Sequence, residues 1–396
     1  MAQAPINTAA LAMPGAPVRF AALPPLSLYI HIPWCVRKCP YCDFNSHEAR
    51  GELPEDEYVA ALLADLEAAF PQVWGRPVLT VFIGGGTPSL FSVRALDALL
   101  CGVRARLPLA ADAEVTLEAN PGTVEAEKFV GFRAAGINRL SLGIQSFNDR
   151  HLKALGRIHG AAEAHRAAEL ALGTFGNVNL DLMYGLPGQT LAEAEADMAA
   201  AVAHAPQHLS AYHLTIEPNT YFHRYPPVVP DDDAAAEIQV AVEAQLATAG
   251  YEHYETSAFA QPGRQSRHNL NYWLFGDYLG IGAGAHSKIS FKNNVLRESR
   301  ARQPKAYLGR GNHGLSEQRE VAASDLPGEF MMNALRLNAG FDLELFGART
   351  GLDLTRILPL LDSAEARGLI IRDHQRVVPT PLGRRFLNDL MQMFLA

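Results

Sequence analysis

Between residues 26 and 216, short apolar runs alternate with amphipathic stretches, and this rhythm constrains the fold more than any other feature of the chain. LSLYIHI (26–32) reads as a strand; YVAALLADLEAAF (58–70), with apolar residues at helical spacing, reads as a helix. VLTVFIGGG (78–86) is a strand ending in a glycine turn, followed by the helix SLFSVRALDALLCGVRARL (89–107) with Ser89 as its expected N-cap. EVTLEANP (114–121) is a strand stopped by Pro121, and VEAEKFVGFRAAG (124–136) a helix ending at Gly136. The pattern continues with strands at 138–146, 178–188 and 208–216 and helices over 161–173 and 191–205. Six β/α units in a row predict a parallel sheet with helices outside it. Polar residues stand at the strands' C-terminal ends: Gly84–Gly86, Glu118, Gln145, Asp181 and Glu217. That is the rim where α/β barrels carry their sites. Six units are too few for an eight-stranded barrel, so the expected fold is α/β, an open, partial (β/α)6 barrel.

Composition changes at RYPPVVPDDD (224–233). A helix over 234–250 then leads into an irregular aromatic region, and the tail from about 304 reads as helical. Its order of helix, helix, short strand, turn, strand, helix has winged-helix character. The expected organisation is a flexible Ala/Pro-rich leader (1–24), a core barrel (25–232), a connecting region containing HNLNYW (233–303) and a smaller, mostly helical C-terminal domain (304–396). The formal net charge of −8 gives no basic surplus to neutralise phosphates, so no nucleic-acid partner is expected, and the winged-helix segment is expected to pack or dock. No run of 18 or more apolar residues occurs, so no transmembrane helix is expected; a peripheral membrane contact stays open. The first 25 residues lack the pattern of a secretory signal, and the expected location is the cytoplasm.

Of four cysteines, three crowd into HIPWCVRKCPYC, as Cys35-x3-Cys39-x2-Cys42. Three thiolates on one tight loop can ligate three irons of a 4Fe-4S cluster, leaving the fourth iron for an outside ligand. Tyr41 would shield such a cluster. The alternatives are a zinc site completed by His31 or His47, or a redox dithiol. No second CxxC occurs to finish a zinc ribbon. Cys101 reads as an inert core thiol in mid-helix.

CxxxCxxC with an aromatic before the third cysteine, followed by GGGTPS and EANP, resembles the radical-SAM superfamily. SLGIQSF, GLPGQT and RHNLNYW extend the likeness to the oxygen-independent coproporphyrinogen III oxidase family, over residues 25–396. Members that are dehydrogenases carry CxxxCxxCxC and a long N-terminal extension; here Phe44 holds the position of that further cysteine and 34 residues precede Cys35. The heme-chaperone branch carries CDF and an HNxxYW motif, as Cys42-Asp43-Phe44 and His268–Trp273 do here. The resemblance therefore implies binding of heme and its passage to acceptor hemoproteins such as respiratory enzymes, on a scaffold that binds S-adenosylmethionine. It does not imply dehydrogenase activity, since fold analogy grants none.

The resemblance also assigns residues. Gly84, Gly85 and Gly86 would bring backbone carbonyls to the S-adenosylmethionine amino group, with Thr87 adding a hydroxyl. Glu118 would accept hydrogen bonds from the ribose or amino group, and Asp181 from the ribose. Gln145 would contact the same ligand, and Arg157 would pair with its carboxylate. Tyr29 would point into this rim. His268 would be an axial ligand of heme iron, with His213, His253 and His286 as rivals. Each has a plain structural alternative: a turn for the glycines, a surface acid for Glu118, a solvated Arg157, a packed Tyr29 and a turn-fixing His268.

Overall fold

The computed structural model describes residues 18–123, 126–309 and 314–395. The six expected units are present. Strand β1 (Leu26–Ile32) leads to helix α1 (Glu55–Ala69), then β2 (Val78–Gly85), α2 (Val93–Arg106), β3 (Leu109–Ala119) and α3 (Ala126–Ala134). Strand β4 (Arg139–Gln145) is followed by α4 (Asp149–Ala154), α5 (Ala161–Thr174), β5 (Val178–Tyr184), α6 (Leu191–Ala203) and β6 (His208–His213). The six strands lie side by side, all parallel, with helices packed on one face. Burial from both faces explains why these strands read as nearly continuous apolar runs; Leu26, Leu28, Ile30 and Ile32 are all buried.

The helix starts follow local capping chemistry. Ser92, not the expected Ser89, caps α2 by accepting from the Ala95 N–H (3.2 Å), while Ser89 sits in the short 3-10 turn ahead of it. Thr190 caps α6 in a reciprocal box with Glu193. Each such cap stabilises its helix by about 1 kcal/mol. Gly136 ends the third helical segment with φ +104°, where an L side chain is strained.

The connecting region is far more ordered than its sequence suggested. It supplies α7 (Asp232–Thr248), the hairpin β7 (Glu252–Glu255) and β8 (Ala258–Ala260), α8 (Arg267–Trp273), and strands β9 (Asp277–Ile281), β10 (His286–Ser290) and β11 (Val295–Arg300). β12 (Leu315–Glu320) lies beyond residue 304 yet joins the same sheet. The full order is β12-β11-β10-β9-β1-β2-β3-β4-β5-β6-β8-β7. β9 extends the parallel part on the free side of β1, and antiparallel strands finish both ends. Asp277, fully buried at the start of β9, accepts from Arg76 (2.8 Å) and Lys288 (3.1 Å) and from the N–H and hydroxyl of Ser290. Removing one member of such a buried set strands the others, which makes this junction rigid.

From Leu326 the described residues form five helices, Leu326–Ala334, Leu343–Thr350, Leu358–Ala366, Pro381–Arg385 and Leu387–Gln392, and a small antiparallel sheet of Phe341–Asp342, Arg376–Pro379 and Ile370–Arg372. This is the expected mostly helical tail with a wing-like sheet. Phe330 is its hub, edge-on to Phe275, Phe341 and Phe346 at 5.1–5.8 Å. Residues 1–17 of the expected leader lie outside the described residues. The end of that segment is docked: Val18 and Phe20 are buried in the C-terminal core, and the Arg19 N–H donates to Gly351 (2.9 Å). No described helix is long and apolar enough to cross a membrane.

Candidate functional site

The parallel register puts the C-terminal ends of β1–β6 on one rim, with Ile32 opposite Gly85 and Glu118 opposite Ser141. A cavity of about 370 Å³ opens there. Cys35, Cys39 and Cys42 line it on one side; Gly85, Gly86, Thr87, Glu118, Gln145, Arg157 and Asp181 line the rest. Residues that the sequence reading assigned from positions spread over nearly 150 residues thus meet at one cavity.

The cysteine loop is pinned at both ends. Trp34–Cys35 pairs with His47–Glu48, Ala49 N–H donates to Cys35 O (2.8 Å), and within the loop Cys42 N–H donates to Cys39 O (3.1 Å). Burial pushes the Cys35 and Cys42 thiols up. Hydrogen bonds from Thr87 to Cys35 and from Ser46 to Cys42 partly offset this, while the neighbouring cysteines add to it. Three half-buried thiols on one loop, two of which burial makes harder to ionise, are a site that a cation would relieve. Among the described residues no three His, Cys, Asp or Glu side chains converge on a single-ion position. His31 does not complete a zinc site: its Nδ1 meets the Tyr29 hydroxyl and its Nε2 the Asn45 carbonyl, each at 2.9 Å.

Across the cavity, Arg157 donates from Nη2 to Gly143 O (2.7 Å) and from Nη1 to Cys39 Sγ (3.6 Å). Its buried Nε has no partner among the described residues. A buried guanidinium with an unused N–H beside a cavity suits a carboxylate ligand. Glu118 accepts from the Gly85 N–H (3.0 Å), yet burial, and then the nearby Asp181, push its carboxyl up to about 7. Asp181 is held by Asn179 (2.8 Å) and Ser141 (2.9 Å), although burial raises it as well. Gln145 has φ 70° at an irregular step in β4, a strained non-glycine backbone of the kind that gathers at functional sites.

Gly85 lines the cavity, and the backbone there also needs glycine for a local reason: φ is +113°, and a Cβ would lie 2.4 Å from the His31 ring. Other expectations change. Gly84 and Tyr29 do not line this cavity; Tyr29 lines its neighbour. Cys101 is exposed on α2, not a core thiol. His268 is 1% exposed and lines neither cavity. Thr80 gives its hydroxyl proton to Ser27 (2.8 Å), so His268 donates from Nδ1 to Thr80 (2.7 Å) and accepts at Nε2 from Tyr272 (3.2 Å). The imidazole lies inside the barrel, tilted by 32° against Phe82 at 5.0 Å. The sequence reading also missed Asn120, which belongs to the EANP motif but was given no role, and Tyr212 and Met183, which line the cavity but sit in no motif.

Residues 29–201 match the family model of the Radical SAM superfamily, and residues 321–386 match that of the HemN C-terminal domain. The fold resembles the solved coproporphyrinogen III oxidase (HemN) of Escherichia coli, with TM-score 0.81 at 24% identity, over 94% of this chain and 91% of that one. A partial α/β barrel with a three-cysteine loop at its carboxyl rim, joined to such a tail, defines a radical SAM protein. Along nearly its whole length the chain is 55% identical to the protein named heme chaperone HemW of Escherichia coli K12, over 94% of this chain and 99% of that protein. The proteins of the same name from Mycobacterium tuberculosis H37Rv and Bacillus subtilis 168 are 36% and 35% identical, each covered over 99% of its length. The chain belongs to the HemW family.

Proposed function

We propose that this protein is a heme chaperone of the cytoplasm that binds heme and passes it to acceptor hemoproteins, respiratory enzymes among them. The observation that carries the reading is the full-length likeness to proteins named heme chaperone HemW. Phe44 supports it, standing exposed where the dehydrogenase pattern places a further cysteine. Cys35, Cys39 and Cys42 would hold a 4Fe-4S cluster, which when bound supplies an electron to S-adenosylmethionine. The chain's own residues do the positioning. Arg157 offers its free N–H to the ligand's carboxylate, Glu118 and Asp181 offer acceptors to its amino and ribose groups, and Thr87 and Gln145 close the wall. Tyr41 covers the cysteine loop.

The test uses anaerobically purified full-length protein. Hemin is added and its transfer to an apo-hemoprotein followed by absorbance; in parallel, coproporphyrinogen III is supplied with S-adenosylmethionine and reductant. Heme binding and transfer with no protoporphyrinogen is the expected result. Robust decarboxylation dependent on S-adenosylmethionine would overturn the chaperone reading.

A further inference from the structure

The backbone that carries Gln145 into the cysteine-lined cavity is held from behind by Asp197 and His159, neither of which lines that cavity. Strand β4 contains a bulge: Gly143 stands opposite Asp181 and Gln145 opposite Leu182, so Ile144 is an extra residue. Asp181 and Met183 line the cavity, and Leu182 between them points the other way, into the apolar core. A regular strand residue opposite Leu182 would follow it. Gln145 does not: its φ of 70° swings the side chain back, and it lines the cavity. Gly143 leaves room for it, since a Cβ there would lie 3.0 Å from Gln145 Nε2. The amide has no hydrogen-bond partner among the described residues, so its donor and acceptor are free for a ligand.

Glycine would adopt this conformation without strain; glutamine keeps it only where its surroundings dictate it. They do so between Gly143 and Phe147. Arg157 donates to Gly143 O (2.7 Å). His159 donates from Nε2 to Ile144 O (3.1 Å), and its Nδ1 is buried without a partner among the described residues, so the ring's hydrogen bonding goes to the bulge. Just past Gln145, Asp197 accepts from the Ser146 hydroxyl (2.6 Å) and the Phe147 N–H (2.7 Å). Ser146 Oγ in turn accepts from the Asn148 N–H (3.0 Å). His159, Asp197 and Ser146 are at most 3% exposed. Burying a carboxylate is costly, and Asp197, on α6, directs both of these hydrogen bonds to the two residues that follow Gln145 on another element.

We propose that Asp197 and His159 are positioning residues, which hold the bulge of β4 so that the Gln145 amide faces the cavity and contacts S-adenosylmethionine there. This rests on the reading that the cavity takes S-adenosylmethionine. The strain at Gln145 is then the means by which a strand residue that would otherwise face the core reaches the ligand.

The test uses full-length protein with its cluster reconstituted anaerobically. It reads S-adenosylmethionine affinity by equilibrium dialysis, bound iron, and folding by circular dichroism. Gln145→Ala is expected to bind the ligand on the order of tenfold more weakly with its iron intact. Asp197→Ala and His159→Ala should each weaken binding on the order of fivefold. Asp197→Asn can still accept from the Phe147 N–H and His159→Gln can still donate to Ile144 O, so each should recover most of the affinity. Placed on Gln145→Ala, the two alanine changes should add less than about a twofold loss, because the group they position is gone. Where Asp197→Ala fails to fold, Ser146→Ala removes one of the same hydrogen bonds from its other end and should show the same dependence on Gln145. Losses that multiply in the Gln145→Ala background would make Asp197 and His159 general supports of the fold and overturn the positioning role, as would parent affinity in Asp197→Ala and His159→Ala. Parent affinity in Gln145→Ala would also overturn it, while leaving the assignment of the cavity standing. Cluster-loaded parent protein that binds no S-adenosylmethionine would overturn both.

Discussion

A carboxyl that prefers its proton at neutral pH leaves a signature in stability. Glu118 is raised from 4.5 to about 7, so the folded chain holds a proton there that the unfolded chain has released. The resulting stability is full below pH 4.5 and is lost as pH rises through about 7. Glu118→Gln should therefore stabilise the ligand-free protein at pH 8 by roughly 2–3 kcal/mol, the lower figure if cavity water screens the charge, with the gain vanishing below pH 4.5. Urea unfolding across this range measures it; a gain independent of pH would refute the assignment. The cysteines give a second residue-scale prediction. Cys35→Ala, Cys39→Ala or Cys42→Ala should each abolish bound iron and visible colour after anaerobic reconstitution. Cys101→Ala should leave both intact, since its thiol stands in solvent on another face. Stoichiometric zinc in colourless parent protein would contradict the cluster.

Among the elements, α8 shows where reading the sequence stops. The strands were legible because burial on both faces writes itself as apolar runs, and the cavity because its residues fall at strand ends. His268 lies buried, and a histidine beside Asn, Tyr and Trp looks the same in sequence whether it faces a ligand or plugs a barrel. Only the pairing of β9 with β1 fixes which. The Ser266 cap and the Glu114 carboxylate accepting from the Arg267 and His268 N–H groups seat this short helix against β3. Burial, and then Arg139, lower His268 to about 3, so protonating it opposes folding. Stability should fall as pH drops below 6.5, the value the ring regains when unfolded. His268→Gln should flatten that acid limb while costing about 1–3 kcal/mol at pH 8 through lost hydrogen bonding. Thermal denaturation at a series of pH values decides it; an unchanged acid limb would show that His268 is solvated.

For the molecule as a whole, the C-terminal core is shared property. Phe275 from the turn before β9, Val295 from β11, and Val18 and Phe20 from before the first strand are buried with Phe330, Phe346 and Leu361 in one cluster. The tail was legible as a helical unit, but its dependence on the barrel was not, because contacts across 300 residues leave no periodicity. Ending the chain at residue 320 should expose this apolar face and yield aggregated protein, whereas a module that folds alone would leave a soluble barrel; size-exclusion chromatography separates the two outcomes.

A sheet of twelve strands that never closes leaves two open borders. The outer one, β12, reads Leu-Ser-Glu-Gln-Arg-Glu and is exposed at every position. Its backbone could template another strand, but charge at three of six positions, Glu317, Arg319 and Glu320, makes stacking a second copy unfavourable. The chain can thus keep an unclosed barrel, with the lateral access that closure would remove, without polymerising through its border.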